Sequence, residues 1–280
     1  MAEAMRDIRR RMKSIESTEH LTNAMRLVSA AKFRKAKKRY DTISRQQLKI
    51  ISVMEDLIGE YGSTNLMNTS NGAKNGKLVV LFTSSRGLCG GYNSSILKMI
   101  SELSLESAAF IAVGSKGEHF ARKVNWPVLM SFSEGPDKLT AEDTKIIAGI
   151  ILQEIQKGWV TEVIMAGMRY ENTLRQEPQI RRILPVTVNT VKTETEKLEF
   201  HPTKSEVMDH LLPKYLQLVL YQAAAETAVC EHASRRTAME NASDSANDMM
   251  AGLSLTYNRA RQQAVTEELI EIISGSEALK

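Results

Sequence analysis

Cysteine is nearly absent from the chain. Only Cys89 and Cys230 occur in 280 residues, too few to staple a secreted fold and not at metal-ligand spacing, which fits a reducing compartment. The five histidines, His20, His119, His201, His210 and His232, show no ligand spacing either. Long apolar runs are missing too. The longest, at 146–152, is far short of a bilayer span, and the opening MAEAMRDIRRRMK has no apolar signal core. These traits predict a cytoplasmic or membrane-peripheral protein. Proline and glycine are missing where a helix would need them missing: neither occurs before Gly59, and Pro213 is the last proline.

What is present is ordinary in bulk and unusual in arrangement. With 42% apolar and 25% charged residues the chain suits one or two soluble domains. Its net charge of +4 hides an asymmetry: residues 1–60 carry 14 Lys and Arg against 8 Asp and Glu, whereas 205–280 carry 6 against 11. Two long segments of opposite sign are natural partners for each other.

Both segments read as very long helices. Met5, Ile8, Met12 and Ile15 have heptad spacing, Leu21, Met25 and Val28 shift the phase, and Phe33, Ala36, Tyr40, Ile43, Ile50, Met54 and Leu57 resume it. The pattern predicts one helix over 1–58, about 85 Å long, with a local stammer at the phase change. At the other end Thr203 and Glu206 form a capping-box sequence ahead of Val207, Met208, Leu211 and Leu212. Pro213 then predicts a short lead-in helix ending near Leu212 and a second helix from there toward the C terminus, about 90 Å long. Met239, Ala242, Ala246, Met249, Leu253, Thr256 and Ala260 alternate steps of three and four, a coiled-coil seam filled largely by small residues. Such a seam buries little area and calls for outside support.

Between the helices the period changes. LVVLFT at 78–83 is a continuous apolar run of buried-strand type, repeated by AFIAV at 109–113 and EVIMAG at 162–167, with helical patterns at 94–103, 116–123 and 141–157. The alternation predicts a small α/β domain over 77–200 with a mainly parallel sheet. IRRILPV at 180–186 predicts an edge strand ending at Pro185, and 61–76 and 188–201 read as linker and loop.

Candidate chemistry is sparse. The loop SSRGLCGGYNS joins a strand to a helix and could cradle phosphate, yet it has neither GxGxxG nor a GK[ST] ending. Cys89 beside Arg86 reads either as an activated thiol or as a small buried cysteine, with no histidine near it in sequence to favour the first. Nine basic residues between Arg26 and Lys49 face one acid, Asp41; a solvated helix face, an anionic protein partner and nucleic acid are the readings, in that order. No catalytic constellation, cofactor motif or metal site emerges.

Three stretches are together specific. MRDIRRRMKSIESTEHLTNAMRLVSAAKFRKA at the start, TSSRGLCGGYN in the middle and SLTYNRARQQAVTEELIEIISG at the end resemble the gamma subunit of F-type ATP synthases. The resemblance implies an α/β fold class in which the N- and C-terminal helices, 1–58 and 203–280, form a long antiparallel coiled coil around an inserted Rossmann-like domain. It implies a non-catalytic rotor shaft without cofactors, peripheral on the cytoplasmic face of a bacterial cell membrane. The implied partners are the alternating alpha and beta subunits, the epsilon subunit and the membrane c-subunit ring, and no nucleic acid. Carried over by motif, Met25, Arg26, Arg259, Arg261, Gln262, Thr266 and Glu267 are candidate contacts to the alpha/beta ring. Arg86, Leu88, Cys89, Tyr92 and Phe200 are candidate foot contacts to epsilon or the membrane ring. Met25 also reads as seam packing and Arg259 as a solvated charge. Ser85, Asn23, Arg236 and Gly252 depart from the family's usual residues, and the cysteine-bearing insert of the chloroplast version is absent. A nucleotide-binding enzyme and a coiled coil that binds nucleic acid or membrane surfaces through 26–49 are the rival functions.

Overall fold

A computed structural model describes residues 2–61, 76–103, 107–186 and 203–278. The linker and loop expected at 61–76 and 188–201, with Phe200, lie outside the described residues except for Tyr61 and Gly76. The stretch free of proline and glycine folds into one uninterrupted helix as expected over 1–58, and the helix runs on through Gly59, as α1 (Ala2–Tyr61). Next come β1 (Gly76–Phe82), α2 (Tyr92–Ser101), β2 (Ala108–Val113), α3 (Ser115–Lys123), β3 (Val128–Phe132), α4 (Ala141–Gln156), β4 (Val160–Tyr170), β5 (Gln176–Leu184) and α5 (Lys204–Ala278).

Two expectations about these elements change. The C-terminal segment is one helix, not two: Pro213 lies inside α5. A proline there removes the N–H that the Asp209 carbonyl would accept, but Asp209 is exposed, so water can serve that carbonyl and the helix continues. Thr203 caps its start as expected, Oγ1 accepting from the Glu206 N–H at 3.3 Å. The strand β3, VLMSF, has no counterpart in the sequence reading. It is five residues long, half-exposed on both faces and preceded by Pro127, so it shows neither a continuous apolar run nor a clean alternation.

The chain divides into two compact units, Ala30–Ser234 and the pair of segments Met1–Ser29 and Arg235–Lys280. The first unit holds the sheet, in the order β3-β2-β1-β4-β5. The β1–β2, β1–β4 and β2–β3 pairs are parallel, and β5 is the antiparallel edge strand. From Leu78 onward central β1 is covered on both faces, which is why that run is continuously apolar rather than alternating. Leu78, Val80 and Phe82 face a core built with Ile147 and Ile151 of α4, Ile51 and Ile58 of α1, and Leu216, Val219, Leu220 and Ala224 of α5. Val79 and Leu81 face the opposite core, with Tyr92, Ile96 and Ile100 of α2. Each fully buried aliphatic side chain contributes about 1.5–3 kcal/mol, so the helical segments of this unit are held mainly by the sheet. Ile51 rather than Ile50 is the buried member of its turn.

In the second unit α1 and α5 pair antiparallel. The Ser243 hydroxyl donates to Glu19 Oε1 at 3.2 Å, and Arg11, Ser14 and Ile15 line one groove with Met249, Gly252 and Leu253. Met5, Ile8, Met12 and Ile15 are half-buried as the heptads predict. Farther along, the seam is polar: Thr22, Ser29 and Ser243 are buried, while Leu21, Leu27 and Val28 face outward, each more than half exposed. On α5 the covered stripe runs through Met239, Ala246, Met250, Leu253, Tyr257 and Ala260, so Met249 and Thr256 fall outside it. With Ser243 the stripe keeps the 3.5 repeat but steps by four and then three where the sequence pattern stepped by three and then four, because the small Ser243 and not Ala242 is the buried residue of its turn.

Two glycines behave oppositely. Gly114, between β2 and α3, has φ 93°, and an added Cβ would lie 2.2 Å from the Thr83 carbonyl oxygen. Gly252 is an ordinary helical residue whose Cβ would meet nothing within 4 Å. Gly114→Ala is therefore expected to destabilise the sheet unit by roughly 2–4 kcal/mol, from left-handed strain plus overpacking. Gly252→Ala is expected to stabilise the helix pair by about 1 kcal/mol through helix propensity. Thermal unfolding followed by circular dichroism separates the two: the first variant melts earlier than the parent and the second later.

Candidate partner-contact surfaces

The order β3-β2-β1-β4-β5 sends the chain to one side after β1 and to the other after β4. In doubly wound sheets the crevice outside the carboxyl ends of two such strands is where a ligand binds. Here that crevice holds the chain's own helix. An added Cβ on Gly167 of β4 would lie 3.1 Å from Thr227 Oγ1 of α5 and 3.5 Å from Phe82 Cβ of β1. The Tyr92 hydroxyl donates to the Thr227 carbonyl at 3.4 Å, and the buried Cys230 thiol to the Met168 carbonyl at 3.7 Å. The Tyr170 N–H donates to Glu226 Oε1 at 3.0 Å. Burial pushes both the Cys230 thiol and the Glu226 carboxyl above their usual ranges.

Several polar groups of the glycine-bearing loop after β1 are taken up within the loop and the start of α2, and the Ser84 and Ser85 carbonyls accept from Lys116 and Ser115 of α3. The Ser84 N–H donates to Asn93 Oδ1 at 3.0 Å, the Ser84 hydroxyl to the Arg86 carbonyl at 2.6 Å, and the Tyr92 N–H to the Cys89 carbonyl at 3.3 Å. Asn93 Nδ2 approaches Cys89 Sγ at 3.2 Å. Leu88 and Gly90 adopt left-handed φ of 60° and 57° to close the turn. Of the candidate foot contacts, Arg86 and Leu88 point outward, whereas Cys89 and Tyr92 are each 2% exposed and belong to the chain's own core. Cys89 is thus the small buried cysteine of the two readings. Among the described residues no cluster of His, Cys, Asp or Glu could hold a metal ion.

The candidate ring contacts all lie on the helix pair. Met25 and Arg26 are half-buried, and Arg26 donates to Asn23 Oδ1 through Nε at 3.3 Å and Nη2 at 2.9 Å. Arg259, Arg261, Gln262, Thr266 and Glu267 are exposed; the Thr266 hydroxyl donates to the Gln262 carbonyl at 2.9 Å, and Gln263 Nε2 to Glu267 Oε1 at 3.3 Å. The two groups are not brought together. The contact between Glu19 and Ser243 lies between Met25 and the end of the pair where Arg259 stands. Past Arg259 the helix presents Leu269, Ile270, Ile272 and Ile273, each more than half exposed.

The basic stretch 26–49 is only partly a solvated face. Arg39 donates to the carbonyls of Asp137 and Leu139 at 3.1 and 2.8 Å, and Lys32 lies 3.9 Å from Asp137 Oδ2. Sequence reasoning missed these residues because their partners lie about a hundred positions away, where no local pattern reaches.

The family model described as ATP synthase matches residues 4–279. The ATP synthase gamma chain of Lachnoclostridium phytofermentans is 34% identical over 288 residues, covering 99% of each chain. The chain belongs to the ATP synthase gamma chain family. The fold agrees: a chain in the Euglena gracilis mitochondrial ATP synthase OSCP/F1/c-ring structure superposes with a TM-score of 0.73 at 18% identity, covering 100% of this chain and 95% of that one. A chain of the Tetrahymena thermophila mitochondrial central stalk and c-ring superposes with a TM-score of 0.62 at 22% identity, covering 80% and 99%. Among the described residues no helix is long and apolar enough to cross a membrane.

The crevice filling has a pH signature. Because burial raises the folded-state pKa of Glu226, the ionised form is the one the fold disfavours, and stability is lost as pH rises through that pKa. Glu226→Gln keeps the acceptor for the Tyr170 N–H and removes the charge. Its urea midpoint is expected to exceed the parent's at pH 8, with the gap closing as pH falls and Glu226 takes up its proton. An equal gap at pH 5 and pH 8 would show that charge is not the cause.

Proposed function

We propose that this chain is the central rotor shaft of a rotary F-type ATP synthase, coupling ion-driven rotation of a membrane ring to ATP synthesis or hydrolysis in a ring of alternating alpha and beta subunits. The observation that carries this reading is the exposed end of α5. Leu269, Ile270, Ile272 and Ile273 are an apolar surface at the end of a helix that its own partner helix does not cover, and such a surface calls for a sleeve. The exposed Leu21, Leu27 and Val28 repeat the pattern on α1.

The chain does no chemistry itself. It acts by differential contact: an asymmetric helix pair touches three catalytic sites unequally, so each shaft angle favours a different set of site conformations. The half-buried Met25 and Arg26 and the exposed Arg259, Arg261, Gln262, Thr266 and Glu267 are the proposed contacts to the alpha/beta ring. Arg86 and Leu88 are those of the sheet unit to the epsilon subunit or the membrane c-subunit ring. The chain then lies at the cytoplasmic face of the bacterial cell membrane, attached only through the complex.

Arg261 and Gln262 give the sharpest test. Arg259 and Arg261 are two residues apart and point about 200° away from each other, so one ring subunit meets only one of them. The Arg261 fork suits a carboxylate or paired carbonyls, and such a contact is worth about 1.5–3 kcal/mol once a partner shelters it. The Arg261→Ala, Gln262→Ala double variant is expected to assemble with alpha and beta subunits yet turn over ATP severalfold more slowly, and lysine at 261 to restore only part of the rate. ATPase assay and native-gel assembly of the reconstituted complex decide the matter: full turnover in the double variant removes the role given to these residues, and failed assembly makes it structural.

A further inference from the structure

We propose that two loops at the carboxyl edge of the sheet form a collar around α1 and α5, with Asp137 and Tyr170 as its grips, and that torque passes between the sheet and the helices through it. The proposal rests on the rotor reading above. The first grip is the turn between β3 and α4, closed by the Lys138 N–H donating to the Gly135 carbonyl at 3.1 Å. Its Asp137 Oδ2 lies 3.6 Å from His232 Nε2 on α5 and 3.9 Å from Lys32 Nζ on α1. Its Asp137 and Leu139 carbonyls hold the Arg39 guanidinium, which also stacks 4.8 Å over the Tyr221 ring of α5. Hydrogen bonding to His232 keeps the Asp137 carboxyl below its usual range against the opposing effect of burial.

The second grip is the β4–β5 hairpin. The Tyr170 ring centroid lies 6.4 Å from that of Phe33 and 6.3 Å from that of Tyr40, with Lys37 Nζ 5.0 Å over the ring. Beyond the turn, Gln176 Oε1 accepts from the Ser234 hydroxyl at 2.7 Å.

The spacing of these contacts is what makes a collar of them. Lys32 and Arg39 are seven residues apart and share one face of α1; Phe33 and Tyr40 are also seven apart and share the next face, about 100° around the helix. One grip takes each face, so α1 cannot roll without breaking one of them. On α5, His232 and Ser234 are two residues apart and point about 200° away from each other, and again each belongs to a different grip. The apolar core resists pulling the helices off the sheet, but burial is non-directional and yields to sliding and rolling. Directional bonds on two faces do not. A doubly wound sheet usually gives this edge to a ligand; this one gives it to a pair of helices.

The test uses the full chain reconstituted with alpha and beta subunits, locked by nucleotide, with a bead attached through a cysteine introduced at the exposed Lys145. The angular spread of the bead measures torsional stiffness. The Asp137→Ala, Tyr170→Ala double variant is expected to lower stiffness about twofold or more while unloaded ATPase stays at the parental rate. Lys32→Gln with Ser234→Ala, which loosens both grips from the helix side and spares the loops, is expected to do the same in smaller degree. Asp137→Glu with Tyr170→Phe should restore the parental value, which a loss of general stability would not predict. Unchanged stiffness in both loosened variants overturns the collar alone. A parental chain that does not turn inside the alpha/beta ring when ATP is supplied removes the rotor reading, and the collar's role with it.

Discussion

The structure depends on a stretch of helix buried on every side. From Gln222 to Ala233 each residue of α5 is buried except the half-buried Glu226. A helix covered all round lies in a core, and here it must fit against the sheet, its crevice and neighbouring helices at once. Five alanines in those twelve positions let the other backbones approach. Polar groups along it meet partners within the protein: the Thr227 main-chain carbonyl accepts from the Tyr92 hydroxyl, the Glu226 carboxylate accepts from the Tyr170 N–H, and His232 meets Asp137. The sheet is thus organised around a helix that the sequence places at its far end.

This arrangement explains why a fold of ligand-binding type carries no ligand site in its usual place. Such crevices are open where no helix crosses them; here α5 does, and in the loop after β1 the Ser84 and Tyr92 N–H groups are already held by Asn93 and Cys89. The proposed function rests instead on surfaces: the outward apolar residues of the helix pair and the end of α5.

Long-range periodicity and the family motifs made much of this legible. The uninterrupted α1, the four apolar or edge strands and the three short helices follow from residue spacing within windows of ten to twenty positions. What failed was decided by tertiary context. Pro213 reads as a break, yet the core that packs Leu212, Tyr215 and Leu216 on either side of it keeps the helix continuous. The polar seam at Thr22 and Ser29 is hidden because apolar pattern alone assigns the seam to Leu21 and Val28, and nothing local reveals that those residues face outward. The contacts of Asp137 with Lys32 and His232 join three distant segments, and a single sequence carries no signal for such a triplet. At the candidate site, the exposure of Arg261 and Gln262 followed from their motif, whereas the burial of Cys89 and Tyr92 came from a core that no motif describes.

A helix pair with serine and threonine in its seam and leucine on its surface also advertises its own state of employment. If a sleeve covers those leucines, as the proposed function has it, a copy outside a sleeve is the one that displays them. Exposed apolar patches of this kind are what holdases bind and proteases follow, and they drive aggregation when neither arrives in time. On the proposed reading, the same residues that suit the helix pair to a sleeve also distinguish a copy left outside one.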